Sequence, residues 1–331
     1  MLYPRKLAKA LETDRERFLR LLQEPQDDRR AFEGALDALE SLSAADLEEK
    51  LAEVRSPGAL PSEEYGRGPG LVLPFPHRWQ NHAEAQAWAL ERIANVTTLA
   101  IDGSEIVPSR YYNLSVGAVQ VGWFENRHSS GWLESLANRA ASNEPAPYAP
   151  APYTKDVSLE LVYAAEISRR RGRGFGVVEE EVKLRRFLKE IDTVADRMPA
   201  YAGAARMPVV FLDGTMVVSF AAALPEYARR EHVDGILRLL GASEEHRVPV
   251  VGYVDASDAS DLVTMLGHVV GREPPKTIAD GYLLSPRMQW GDRTKAFICA
   301  RDDILQLYYD PERGKSYRRE VAFCFLKASS F

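Results

Sequence analysis

The chain has 331 residues, of which 45% are hydrophobic and 27% charged, with a formal net charge of −6 at pH 7. This balance is that of a soluble globular protein with one large domain or a core plus an appendage, and it excludes binding to nucleic acid through overall basicity. Two cysteines, Cys299 and Cys324, give neither a disulfide framework nor zinc-ligand spacing, which predicts a reduced, cytoplasmic setting. The N-terminus lacks a signal-peptide core, and no apolar run is long enough to span a bilayer.

Apolar residues at Leu7, Leu11, Phe18, Leu21 and Leu22 predict an amphipathic helix over 5–22 that Pro25 ends. A second helical pattern follows through Phe32, Leu36 and Leu39, and Ser43 to Asp46 reads as a capping start for a third. These charged helices with thin apolar stripes would either pack on the main domain or pair with a partner. Residues 57–76 hold five prolines and four glycines and read as a linker or an extended loop. A helix over 82–94 precedes an apolar strand at Leu99, and a valine-rich alternating strand or hairpin follows over 112–124. Residues 143–153 form a proline-rich surface loop, 159–170 a short helix, and Arg169 to Gly174 a flexible basic loop. The longest helical pattern spans 177–197, with Val178, Val182, Phe187, Ile191 and Val194 as its core positions. A strand at 209–213, a helix over 225–240, a strand over 248–254 and a helix over 257–270 come next, with strands at 295–299 and 321–326. Extended segments followed by alternating helices and strands define an α/β fold, a mixed sheet with helices on its faces.

Two strands run directly into an aspartate and a glycine: Ile101-Asp102-Gly103-Ser104 and Phe211-Leu212-Asp213-Gly214-Thr215. A carboxylate at the end of a core strand needs a cation or several donors to answer it, and Gly103 permits a sharp turn or close approach of a ligand. Each pair taken alone is equally a hairpin turn signal. On the long helix Arg186 and Glu190 stand four residues apart and share a face, as a surface ion pair or as part of a site. Two strand-end carboxylates and a helical third suit one or two hard divalent cations, which would polarise a phosphoryl oxygen. Other chemistries lack their motifs. The six histidines form no zinc pair, there is no nucleophile elbow or phosphate-binding Gly-rich loop, and Phe211 replaces the nucleophile of an aspartate phosphatase.

The ordered set formed by Ile101 to Ser104, Val182 to Arg186 with Glu190, Phe211 to Met216, Gly252 to Ser257, Gly291 to Thr294 and Phe323 to Lys327 resembles the NurA family of DNA-end-processing nucleases. The resemblance implies a ribonuclease-H-like mixed sheet flanked by helices, with an N-terminal helical region over 1–56, a linker over 57–80 and the nuclease domain over 81–331. It further implies manganese- or magnesium-dependent 5′–3′ exonuclease and single-strand endonuclease activity in double-strand break repair. The expected partners are DNA, a second copy of the chain and a hexameric HerA-type ATPase, with no membrane. Asp102, Glu190 and Asp213 would be the catalytic metal ligands, with Asp102 bridging and Glu160 or Glu166 as substitutes for the helical carboxylate. Arg170, Arg171, Arg173, Arg186 and Arg293 would contact DNA. The family pattern continues past the Phe-Leu-Lys strand into a segment with a tyrosine and a histidine near the metals, and the sequence ends at Phe331, where that segment would begin. Two other readings stand beside this one: a non-catalytic dimeric adaptor guiding DNA into an ATPase motor, and an actin-like ATP-binding fold.

Overall fold

The computed structural model describes residues 4–109, 111, 115–129, 153–172, 174–275 and 278–328. Its elements in chain order are α1 (Pro4–Thr13), α2 (Arg15–Ser41), α3 (Ala44–Leu51), β1 (Gly58–Pro61), β2 (Val72–Leu73), α4 (His82–Ile93), β3 (Thr98–Ile106), β4 (Val116–Asn126) and β5 (Tyr153–Tyr163). They continue with α5 (Ala164–Arg171), α6 (Phe175–Arg197), β6 (Val209–Asp213), α7 (Glu226–His246), β7 (Val250–Tyr253), α8 (Asp261–Val270) and α9 (Asp280–Leu284). The remainder are β8 (Arg293–Thr294), β9 (Phe297–Ala300), β10 (Tyr309–Asp310), β11 (Lys315–Ser316) and β12 (Ala322–Phe323). The proline-rich loop expected at 143–153 lies outside the described residues, save Tyr153. Among the described residues no helix is long and apolar enough to cross a membrane.

Internal packing divides the chain into two units, one of residues 1–76, 256–305 and 318–331, the other of residues 77–255 and 306–317. The first unit grows from helix pairing. Phe32, Leu36 and Leu39 recur at helical spacing on α2 and bury completely with Leu47 of α3 and Val263 and Leu266 of α8. A reciprocal cap starts α3: the Ser43 hydroxyl accepts the Asp46 N–H at 3.1 Å, and the Ser43 N–H donates to the Asp46 carboxylate at 3.3 Å. The helix stop expected at Pro25 is not there, because α2 runs through it and the break falls at Asp14. An internal proline removes one backbone hydrogen bond at a cost of about 3 kcal/mol. The fully buried stripe that follows offsets that loss. The stretch expected as a linker contributes β1 and β2, which pair antiparallel with β9 and β8.

The second unit is built on a five-stranded sheet ordered β5–β4–β3–β6–β7. β3, β4 and β5 form an antiparallel meander, while β6 and β7 run parallel to β3. This is the mixed α/β sheet flanked by helices that the sequence predicts. Val182 and Val194 of α6 are fully buried, as are Leu99 of β3, Val119 of β4 and Val210 of β6. On the opposite face Phe124, Val157, Leu159, Leu161, Phe211, Val251 and Tyr253 are exposed. The helix expected from residue 159 begins only at Ala164, because Val157, Leu159 and Leu161 alternate with Ser158, Glu160 and Val162 as the outer strand of the meander. A period of two, matched by a paired neighbour, overrides the helix propensity of leucine and glutamate.

Replacing Leu36 by alanine is expected to lower the stability of the first unit by about 2–5 kcal/mol in urea unfolding, the range for emptying a leucine site in a closed core. A loss below about 1 kcal/mol would mean that the α2 stripe does not form such a core.

Candidate metal centre

The site grows from the alternation of β3. Leu99 and Ile101 are buried, whereas Ala100, Asp102 and Ser104 are exposed on the other face. The Asp-Gly pair makes no turn here. Asp102 and Gly103 lie in mid-strand opposite Gly122 and Val121, and the ladder with β4 carries β3 on to Ile106. Gly103 is needed for space. A Cβ at this position would fall on Glu190 Oε1 and stand 2.9 Å from Arg186 Cγ. The carboxyl of Glu190, projecting from α6, thus takes the volume that any other residue at 103 would fill.

The Glu190 side chain is only 16% exposed, and its Oε1 accepts a hydrogen bond from Arg186 Nη1 at 2.7 Å. Arg186 Nε lies 2.7 Å from Glu105 Oε2. Burial pushes the Glu190 carboxyl above the ordinary glutamate range, Arg186 pulls it back, and the charges of Asp102 and Glu105 add to the rise. Asp102 and Glu190 therefore sense each other past the bare backbone of Gly103. Asp213 is the last residue of β6. Parallel pairing of Ile101 with Leu212 makes Asp102 and Asp213 the next step of the same register, on strands about 4.8 Å apart. After Asp213 the chain does turn: Gly214 takes φ +127°, and its N–H donates to Tyr253 O at 2.8 Å. Asp102 also lines an open groove of about 390 Å³, with Ser104, Gln120, Gly122, Lys155 and Asp156.

The three expected ligands thus fall on adjoining elements, two of them in electrostatic contact. Among the described residues no group of three His, Cys, Asp or Glu side chains is drawn together as a metal site. Carboxylate oxygens are the donor type a hard divalent cation takes; Asp102 and Asp213 share one face, whereas Glu190 is seated at Gly103 on the opposite face of β3. Glu160 sits on β5 rather than on a helix, and Arg185 Nη1 binds its carboxylate at 2.8 Å. Glu166 is exposed on α5. Glu105 went unnoticed in the sequence. Once β3 is read as continuing through Asp-Gly, its place two residues beyond Gly103 puts it on the same face, toward Arg186.

The expected DNA-contacting arginines have varied surroundings. Arg171 is bound by Glu181 at 3.0 Å and by Glu231, and its guanidinium lies 4.2 Å from the centre of the Tyr227 ring. Arg186 is shared between Glu105 and Glu190. Arg293 belongs to the other unit and forms a two-toothed pair with Glu64 at 2.8 and 2.5 Å. Arg170 is exposed at the end of α5, and Arg173 lies outside the described residues.

A mixed sheet in the order β5–β4–β3–β6–β7, with acidic residues on two adjacent central strands, defines a ribonuclease-H-like α/β domain. The chain belongs to the NurA family, whose NurA domain profile matches residues 96–331, and membership implies a nuclease role in DNA-end processing. Neither the curated proteins nor the solved structures provide a match.

Substituting Gly103 by alanine is expected to leave β3 paired but to displace Glu190, at a cost of about 1–3 kcal/mol for overpacking. Manganese binding should weaken with it. Urea unfolding and manganese titration of the variant check both effects, and unchanged manganese affinity would show that Glu190 does not need its seat at Gly103.

Proposed function

We propose that this chain is a divalent-cation-dependent DNA nuclease in which Asp102, Glu190 and Asp213 hold manganese or magnesium. The observation that carries this reading is the pair Asp102 and Asp213, exposed carboxylates on the same face of neighbouring strands, with Asp102 opening onto a groove. Such a cation, when bound, polarises a phosphoryl oxygen and lowers the pKa of water. In this reading Asp102, exposed in the groove, and Asp213, at the end of β6, would meet the substrate side, and Glu190 would have to reach them from the other face of β3. Arg170, exposed at the end of α5, would bind phosphate. The finer reading, based on family resemblance, is 5′–3′ exonuclease and single-strand endonuclease activity by a cytoplasmic homodimer working with a HerA-type hexameric ATPase in break repair.

One observation favours the second reading, that of a non-catalytic adaptor leading DNA into such a motor. Arg186 holds Glu190, and no three carboxylates among the described residues stand ready for a cation. Labelled linear DNA incubated with manganese separates the two readings. The nuclease reading expects cleavage by the wild type and loss of at least about 100-fold in Asp102→Asn or Asp213→Asn, both with thermal stability within about 0.5 kcal/mol of wild type because the replaced groups are exposed. Wild-type activity in either variant removes that residue from the site, and DNA binding without cleavage by the wild type supports the adaptor.

Metal binding also carries a pH signature. A cation takes Glu190 only in its ionised form, and this carboxyl's proton affinity is raised in the folded chain. Manganese affinity should therefore fall on acidification at a pH above the range of an ordinary glutamate, near ~4.3. The sign for metal-free stability is the reverse: a raised carboxyl contributes most while protonated, and its contribution is lost as pH rises through its folded-state value. Titration calorimetry with manganese across pH, on wild type and Glu190→Gln, tests this; an unchanged pH profile in the variant would mean that Glu190 is not the titrating ligand.

A further inference from the structure

Lys295 follows β8 and is only 2% exposed, and the candidate metal centre makes no use of it. Its Nζ donates to Tyr65 O at 2.8 Å and to Gly68 O at 2.7 Å. An ammonium carries three N–H donors, so one is left over among the described residues. No carboxylate of those residues pairs with it. Glu64 is taken elsewhere, accepting from Arg293 Nη1 at 2.8 Å and from the Ala296 N–H at 2.9 Å. A buried ammonium held by neutral carbonyls alone keeps its charge uncompensated, which is costly away from water unless an anion joins it.

Lys295 lines a cavity of about 200 Å³ together with Ser43, Ala44 and the glycines at 66, 68 and 70. A Cβ at Gly66 or Gly68 would meet nothing within 4 Å, so this wall is bare backbone with room beside it. Ser43 and Ala44 open α3, the end of a helix where the partial charge is positive, and the cap there takes only the Asp46 N–H. Glu40 is the acid in the lining; it is 34% exposed, with Arg287 Nη1 at 3.8 Å. Its charge opposes a doubly charged ligand such as phosphate more than a singly charged one. The volume suits an acid of a few carbon atoms and is small for a nucleotide.

We infer that this cavity is a binding site for a small monocarboxylate, which accepts the remaining N–H of Lys295 and supplies its missing counter-charge. The site is built wholly from the first unit and does not depend on the nuclease reading.

The test is titration of the full-length chain with acetate, followed by saturation-transfer NMR on the acetate methyl signal at constant ionic strength, with inorganic phosphate as the competitor. Acetate should bind saturably with a Kd of about 1 mM, the strength open to so small a ligand. Lys295→Met keeps the apolar stem and should weaken binding at least about tenfold through loss of a charge-assisted contact. Glu40→Gln should tighten it about threefold by removing a like charge. Phosphate should displace acetate only weakly from the wild type. Glu40 is partly exposed and distant from the helix core, so its variant gives an answer even where Lys295→Met fails to fold. The site is overturned by the absence of saturable acetate binding, by equal affinity in a folded Lys295→Met, or by no tightening in Glu40→Gln. Phosphate binding more tightly than acetate overturns the carboxylate assignment. A lysine with a purely structural role would lower the unfolding temperature on substitution while the wild type showed no acetate saturation.

Discussion

The arrangement of the second unit depends on one steric fact: a carboxylate occupies the place of a missing Cβ. Glycine inside a strand is a liability of about 0.5–1 kcal/mol relative to alanine, since it gives up more chain entropy and packs nothing. At Gly103 that liability brings α6 close enough for Glu190 to meet the backbone of β3. The same closeness creates an electrostatic problem, because three acids, Asp102, Glu105 and Glu190, influence one small region. Arg186 answers it from one turn before Glu190 on the same helix.

This use of arginine extends along α6, where local basic runs are met by neighbouring carboxylates. Arg185 joins Glu181 and Glu160, while Arg171 joins Glu181 and Glu231, so Glu181, nearly inaccessible at 5% side-chain exposure, is bound from two sides. A buried carboxylate left unpaired would be costly, so these guanidinium groups are held by the fold's own charges. Arginine suits that position because its planar fork serves two carboxylates at once.

Much of the sheet and its long helix could be read in the sequence because their signals are local. Of the expected stripe, Val178, Val182, Ile191 and Val194 are buried and Phe187 is half-buried, and β3, β6 and β7 follow their apolar runs. Where a partner distant in sequence decides the outcome, local pattern is insufficient. Leu159 to Leu161 became strand because β4 was available to pair with it. Arg171 lost its freedom to Glu231, 60 residues downstream, and Arg293 to Glu64, 229 residues upstream. Pro25 lies within a helix whose stabilising stripe comes later. Asp102 and Glu190 were legible as residues of two separate motifs, whereas Glu105 required knowing that the strand does not stop at glycine.

The repeated Asp-Gly pattern makes the last point about how such a site is assembled, since the same dipeptide performs two different tasks. At 103 the backbone stays extended and paired, and the glycine serves through its missing side chain. At 214 nothing crowds a Cβ, but φ is +127°, a region that only glycine adopts without strain, and there the glycine ends β6. Asp102 consequently lies inside a continuous strand, whereas Asp213 stands at a strand's end, followed by Gly214, whose N–H is bonded to Tyr253 O of β7. Each carboxylate is nonetheless held by a ladder on one side, Asp102 through Gly122 of β4 and Asp213 through Tyr253 of β7. Between them the ladder of β3 and β6 has ended at Ile101 and Leu212, so the two acids project on one face from the seam where those strands part.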